Sequence, residues 1–176
     1  GLPVDVPAMT SNEVCGSGMK AVILARQLIQ LGEAELVIAG GTESMSQAHM
    51  LKQYQSETNE YGEPISSMVN DGLTDAFSNA HMGLTAENVA TQFSVSREEQ
   101  DRYALSSQLK AAHAVEAGVF SEEIIPVKIS DEDVLSEDEA VRGNSTLEKL
   151  GTLRTVFSEE GTVTAGNASP LNDGAS

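Results

Sequence analysis

The sequence predicts an α/β protein, on three observations. An apolar helical stretch from Ser17 to Leu31 is followed, across Gly32, by the run Glu35-Leu-Val-Ile-Ala39, which is apolar without alternation. Helical periodicity resumes at Ala86, Val89, Ala90 and Phe93. A capping box, Ser96-Arg-Glu-Glu99, then opens a further helix that runs to Gly118.

Taken in order, the first helix carries only a narrow polar stripe, Lys20, Gln27 and Gln30. Met19, Ala21, Val22, Ile23, Leu24, Ala25, Leu28 and Ile29 cover the rest, so it should be enclosed on most sides. Gly32 suits the left-handed residue that ends such a helix. Residues 35–39 then read as a buried strand of a parallel sheet, covered on both faces. From Ser44 to about Gly83 the pattern dissolves into Met, Ser, Gln, Asn and Gly, which predicts irregular structure. Beyond the two helices, Ile124 to Ile129 predicts a short strand, with Pro126 suggesting an edge position. Six acidic residues between Asp131 and Glu139 read as a solvated loop rather than a metal site, because nothing aims those carboxylates at one point. Ser145-Thr-Leu-Glu148 predicts a second capping box and a short helix ending near Gly151.

Composition narrows the function classes. A formal net charge of −17 with only ten Lys and Arg argues against a nucleic-acid surface, and 4% aromatic content without Trp argues against stacking platforms for bases. No run reaches the roughly 18 apolar residues of a membrane-spanning helix. One cysteine cannot form an internal disulfide, which fits a reducing compartment, with the cytoplasm as the default.

That cysteine, Cys15, stands before Gly16-Ser17-Gly18 and the first helix. Its sulfur would sit at a helix N-terminus, where open N–H groups and the helix dipole favour a thiolate. The glycines would let substrate atoms and backbone N–H groups approach. By position alone, Cys15 reads equally well as a nucleophile and as a small buried hydrophobe.

Four segments carry a resemblance to a known family. Asn12-Glu-Val-Cys-Gly-Ser-Gly-Met19 resembles the nucleophile segment of the thiolases, and Gly40-Gly-Thr-Glu-Ser-Met-Ser46 the segment that follows it there. His81-Met-Gly-Leu-Thr-Ala-Glu-Asn88 is similar to the loop-domain segment of short-chain thiolases, and Gly161-Thr-Val-Thr-Ala-Gly-Asn-Ala-Ser169 to the strand returning from that domain. The resemblance implies part of the thiolase fold, a parallel-rich sheet with a buried helix, plus a mostly helical loop domain. It divides the chain into 1–45, carrying the nucleophile, 46–160, the loop domain for CoA binding and oligomer contacts, and 161–176, the returning strand.

The implied chemistry is an acetyl-CoA C-acetyltransferase, condensing two acetyl-CoA to acetoacetyl-CoA, or the reverse thiolysis, through an acetyl-cysteine on Cys15. The backbone N–H of Cys15 would contribute to an oxyanion hole. Leu73, His81 and Met82 would wall the pantetheine channel, Arg142 and Phe157 flank the nucleotide, and Ala165, Gly166 and Ser169 lie along pantetheine. Arg142 also has a rationale in charge: with Lys149 and Arg154 it supplies positive charge beside an acidic run. The His81–Met82 pair implies acetyl and acetoacetyl substrates rather than long acyl chains. CoA thioesters would be the substrates, with no cofactor and no metal, and the protein would be a homo-oligomer, a dimer of dimers.

The family's second cysteine and its activating histidine match no position here, so these residues are expected to be an internal fragment, inactive alone. Pro170 and His49 stand where the family commonly has Gly and Pro. A related condensing enzyme, a ketoacyl synthase or hydroxymethylglutaryl-CoA synthase, and a non-catalytic CoA-binding module are the alternative readings.

Overall fold

The computed structural model describes residues 2–176. In chain order the elements are α1 (Ser17–Gln30), β1 (Thr42–Ser44), β2 (Met50–Leu51), β3 (Tyr54–Gln55), β4 (Glu60–Tyr61), β5 (Ile65–Ser66), α2 (Met82–Gln92), α3 (Arg97–Glu116), β6 (Val127–Lys128), β7 (Val134–Leu135), α4 (Leu147–Gly151) and β8 (Asp173–Ala175). They belong to two compact units, Gly1–Thr74 with Leu171–Ser176, and Asp75–Pro170.

In the first unit, α1 ends as the sequence predicts. Gly32 takes φ +73°, its N–H donates to the Ile29 carbonyl and the Glu33 N–H to the Leu28 carbonyl, the paired bonds of a Schellman motif. Enclosure of the helix does not follow. Ala21, Leu24, Ala25 and Leu28 form a half-buried stripe at helical spacing, while Met19, Val22, Ile23 and Ile29 are exposed and no residue of α1 is buried. The strand expected at 35–39 is also absent from the described structure, and Leu36 is 84% exposed and Ile38 76%. A central strand needs a ladder partner on each edge, and none of the described residues pairs with this segment. Every named ladder is instead an antiparallel pair of short strands, so a parallel sheet is not formed within these residues.

β1 pairs with β8, Thr42 opposite Ala175 and Ser44 opposite Asp173, and the Gly41 N–H extends the ladder to the Ser176 carbonyl at 2.8 Å. The Ser46 hydroxyl and N–H both donate to Asp173, which holds that carboxyl below its ordinary range. The stretch expected to be irregular contains a nested ribbon, β3 with β4 inside β2 with β5, followed by one π-helical turn at Met68–Gly72. Strands of two residues are too short to show an alternating pattern, which is why the sequence does not reveal them.

Among the described residues, the buried ones all lie in the second unit: Gly83, Ala90, Leu150, Val163, Asp101 and Thr164. The capping box at Ser96 forms in full, with the Ser96 side chain accepting from the Glu99 N–H and the Glu99 carboxylate accepting from the Ser96 N–H. α3 closes with the same paired bonds as α1, around Gly118 at φ +65°. The second predicted box forms differently. Thr146 caps α4 by accepting from the Lys149 N–H, while the Ser145 hydroxyl is drawn to the Arg142 carbonyl at 2.7 Å. The segment 124–129 contributes only β6, paired with β7, and Lys128 meets Asp131 of the connecting turn at 2.7 Å.

Candidate active site

Cys15 is exposed and stands one residue before the N-cap of α1, Gly16. The turn around it is closed by short-range bonds. The Val14 N–H donates to Asn12 Oδ1 at 2.9 Å, the Gly16 N–H to the Glu13 carbonyl at 3.0 Å, and the Glu13 N–H to Ser17 Oγ at 2.8 Å. Ser17 Oγ in turn donates to the Val14 carbonyl at 2.7 Å, and Lys20 Nζ pairs with Glu13 at 2.9 Å. Val14 is forced to φ +52°, a left-handed conformation in which a β-branched side chain is strained. Strain of this kind persists only where neighbouring bonds over-determine it, as they do here. A side chain at Gly16 would crowd the Glu13 carbonyl, whereas Gly18 faces open space. The Ser17 N–H donates to the Val14 carbonyl and the Lys20 N–H to the Gly16 carbonyl, so the helix starts directly after Cys15.

Of the residues assigned to CoA, Leu73 lies in the first unit and the others in the second. Leu73 is half-buried and caps the π turn, its N–H donating to the Met68 and Val69 carbonyls. His81 and Phe157 come together, their rings stacked with centroids 4.9 Å apart and 25° between planes. His81 also caps α2, Nδ1 accepting from the Gly83 N–H at 3.0 Å, so in the neutral ring the proton is on Nε2. Gly83 permits this stack, because a Cβ there would overlap the Phe157 ring. Met82, 38% exposed, begins α2 beside His81. Ala165 and Ser169 are exposed and Gly166 half-buried, with the Gly166 backbone pressed against Leu150 and Leu153. Arg142 is exposed and makes no ion pair among the described residues, although its N–H is anchored to Gln108 Oε1 at 2.7 Å.

Sequence reasoning missed the side chains that hold the 161–169 segment. Glu87 of α2 accepts from the Thr162 N–H, the Val163 N–H and the Thr162 hydroxyl, at 2.8 to 3.0 Å. Burial alone would push this carboxyl up, but the three donors outweigh it and hold it below the usual glutamate range. Asn167 accepts from the Thr164 N–H at 2.8 Å and donates to the Thr162 carbonyl and to buried Asp101. Asp101 also pairs with Arg97 at 2.7 Å, and Arg97 reaches the Leu150 carbonyl in α4 and the Leu153 carbonyl just beyond it. The polar letters of Gly161-Thr-Val-Thr-Ala-Gly-Asn thus have structural duties. A clue was present: Glu87 lies inside a motif and on an amphipathic helix, yet outside the assigned site.

An exposed cysteine at the head of a helix, with a second unit of helices wrapped on a returning segment, matches one family throughout. Residues 1–176 match the model of the thiolase N-terminal domain, and the chain belongs to that family. It is similar to a probable acetyl-CoA acyltransferase of Staphylococcus epidermidis, 50% identical over 99% of this chain and 46% of that protein. A probable acetyl-CoA acyltransferase of Staphylococcus aureus is 51% identical over the same shares. Crystal structures of human mitochondrial 3-ketoacyl-CoA thiolase, one of them in complex with CoA, superpose with TM-score 0.91 at 41% and 40% identity, covering 99% of this chain and 45% to 46% of theirs. The chain is therefore of the thiolase fold, and it spans about half the length of the curated relatives it matches.

Proposed function

We propose that the complete protein condenses two acetyl-CoA to acetoacetyl-CoA, or cleaves acetoacetyl-CoA by thiolysis, with Cys15 as nucleophile. The observation that carries this reading is an exposed Cys15 held by a pinned turn at the head of α1, within a family match over the whole chain. The Cys15 thiolate attacks the thioester carbonyl, the bond from that carbon to the CoA sulfur breaks, and CoA leaves as its thiolate to be protonated. In the second step the carbanion formed at the methyl of another acetyl-CoA attacks the acetyl-cysteine, which expels the Cys15 thiolate. The backbone N–H of Cys15 is assigned to the oxyanion hole.

The second cysteine and the histidine that move the protons are assigned to the rest of the protein. Leu73, His81, Met82, Ala165, Gly166 and Ser169 are proposed to line pantetheine, with Arg142 and Phe157 at the nucleotide; the Arg142 guanidinium, in no ion pair among the described residues, favours its role. The relative solved with CoA supports a CoA substrate. CoA thioesters suffice for the reaction without a cofactor, the assembly is a dimer of dimers, and the compartment is the cytoplasm.

Incubating the complete protein with acetoacetyl-CoA should yield an acetyl adduct by intact-mass spectrometry, absent in Cys15→Ser. If the wild type never acylates, Cys15 is structural and the enzyme reading fails. The likeness to a 3-ketoacyl-CoA thiolase favours a second reading, a broader acyl range. kcat/KM that rises from acetoacetyl-CoA to longer 3-ketoacyl-CoA substrates would select it.

A further inference from the structure

We infer that Glu87, a residue outside the assigned site, is a positioning residue for CoA: it clamps residues 161–163 so that the Ala165–Ser169 strip keeps its register with the residues that lead into Phe157. This rests on the CoA site proposed above. α2 carries both ends of the arrangement, with His81 capping its first turn and Glu87 facing the returning segment farther along. The Glu87 carboxylate takes three donors of Thr162 and Val163, and Gly161 leaves room for it, since a Cβ there would collide with that carboxylate. Thr162 Oγ1 donates to Glu87 while accepting from Gln100 Nε2 at 2.8 Å, which fixes the hydroxyl proton.

The clamped segment is tied directly to the nucleotide side. The Val156 N–H donates to the Val163 carbonyl at 3.0 Å, and Thr155 bridges to Thr164, so the residues leading into Phe157 share the register that Glu87 sets. Downstream, Asn167 closes the turn through Ala165 and Gly166 by binding both the Thr164 N–H and the Thr162 carbonyl. A shift at 162–163 would therefore move the strip and the residues leading into Phe157 together. An uncharged amide cannot replace the carboxylate, because its NH2 would face N–H donors.

The test uses the complete protein and Glu87→Gln. CoA affinity is measured by titration calorimetry, and thiolysis is compared for acetoacetyl-CoA with CoA as the acceptor thiol and for the acetoacetyl thioester of N-acetylcysteamine with free N-acetylcysteamine as the acceptor, a pair that lacks the pantoate and nucleotide. We expect CoA binding and the KM of the CoA substrates to worsen about tenfold, with kcat and the short thioester little changed. Equal losses on both thioesters, or unchanged CoA affinity, would overturn the inference, the first because it signals general damage. Should Glu87→Gln not fold, Thr162→Val decides, with a smaller shift of the same pattern expected and none overturning it. Acylation of wild-type Cys15 tests the enzyme reading separately, since the calorimetric readout needs no turnover.

Discussion

The Cys15 turn and the 161–167 segment are both pinned by hydrogen bonds, but over different ranges. Around Cys15 no bond or ion pair spans more than seven residues, whereas Glu87 reaches 75 residues along the chain to Thr162, and Asn167 reaches 66 to Asp101. The first unit buries no side chain deeply among its described residues, and the second buries Asp101 and Thr164 at 3% and 0% exposure. The turn proposed to hold the nucleophile is thus shaped by its own near neighbours in sequence. The segment proposed to bind CoA has no regular ladder of its own and is held by polar side chains distant in sequence.

The largest expected effect breaks the long-range side of this contrast. Asp101→Ala leaves the Arg97 guanidinium and the Asn167 amide without their buried partner, and should cost about 3 kcal/mol in urea unfolding of the complete protein. A loss under about 1 kcal/mol would mean that the buried carboxylate is dispensable and the segment is held by packing alone.

Acid should act next, through Glu87. Its folded pKa lies below the unfolded value, so its contribution is fully present above the unfolded pKa near 4.5 and is lost as pH falls through the folded value. Glu87→Gln should therefore flatten the stability profile of the complete protein below about pH 4.5, with little change in its slope near neutrality. A profile identical to the wild type below that pH would remove Glu87 from the acid response.

Ser96→Ala removes the side-chain half of the α3 capping box and should cost about 1 kcal/mol, with faster amide exchange confined to the first turn of that helix. Spread of that exchange into Thr162 and Val163 would show that the cap and the clamp are coupled. The smallest effect belongs to the Cys15 turn. Val14→Asn keeps the left-handed conformation with a residue that tolerates it, and should stabilise by about 0.5 kcal/mol. An unchanged urea midpoint would mean that Val14 is carried there without strain.

Legibility followed the same division of range. The stops at Gly32 and Gly118, the start at Ser96 and the helix from Ser17 were readable because caps and turns are contacts between near neighbours. Ser145 and Thr146 were both competent caps, and the choice fell to Thr146 only because the Arg142 carbonyl engaged Ser145. Residues 35–39 have the composition of a buried strand, yet a strand forms only where another lies beside it.

By itself the sequence determined the family, the helix that presents Cys15 and the glycines that punctuate it, since local hydrogen bonding and motif order are written along the chain. Only the tertiary structure decided that Glu87, Asp101 and Asn167 hold the returning segment, and that Gly83 makes space for Phe157 beneath His81. Their partners lie tens of residues away, and no periodicity records which distant backbone N–H a carboxylate will satisfy.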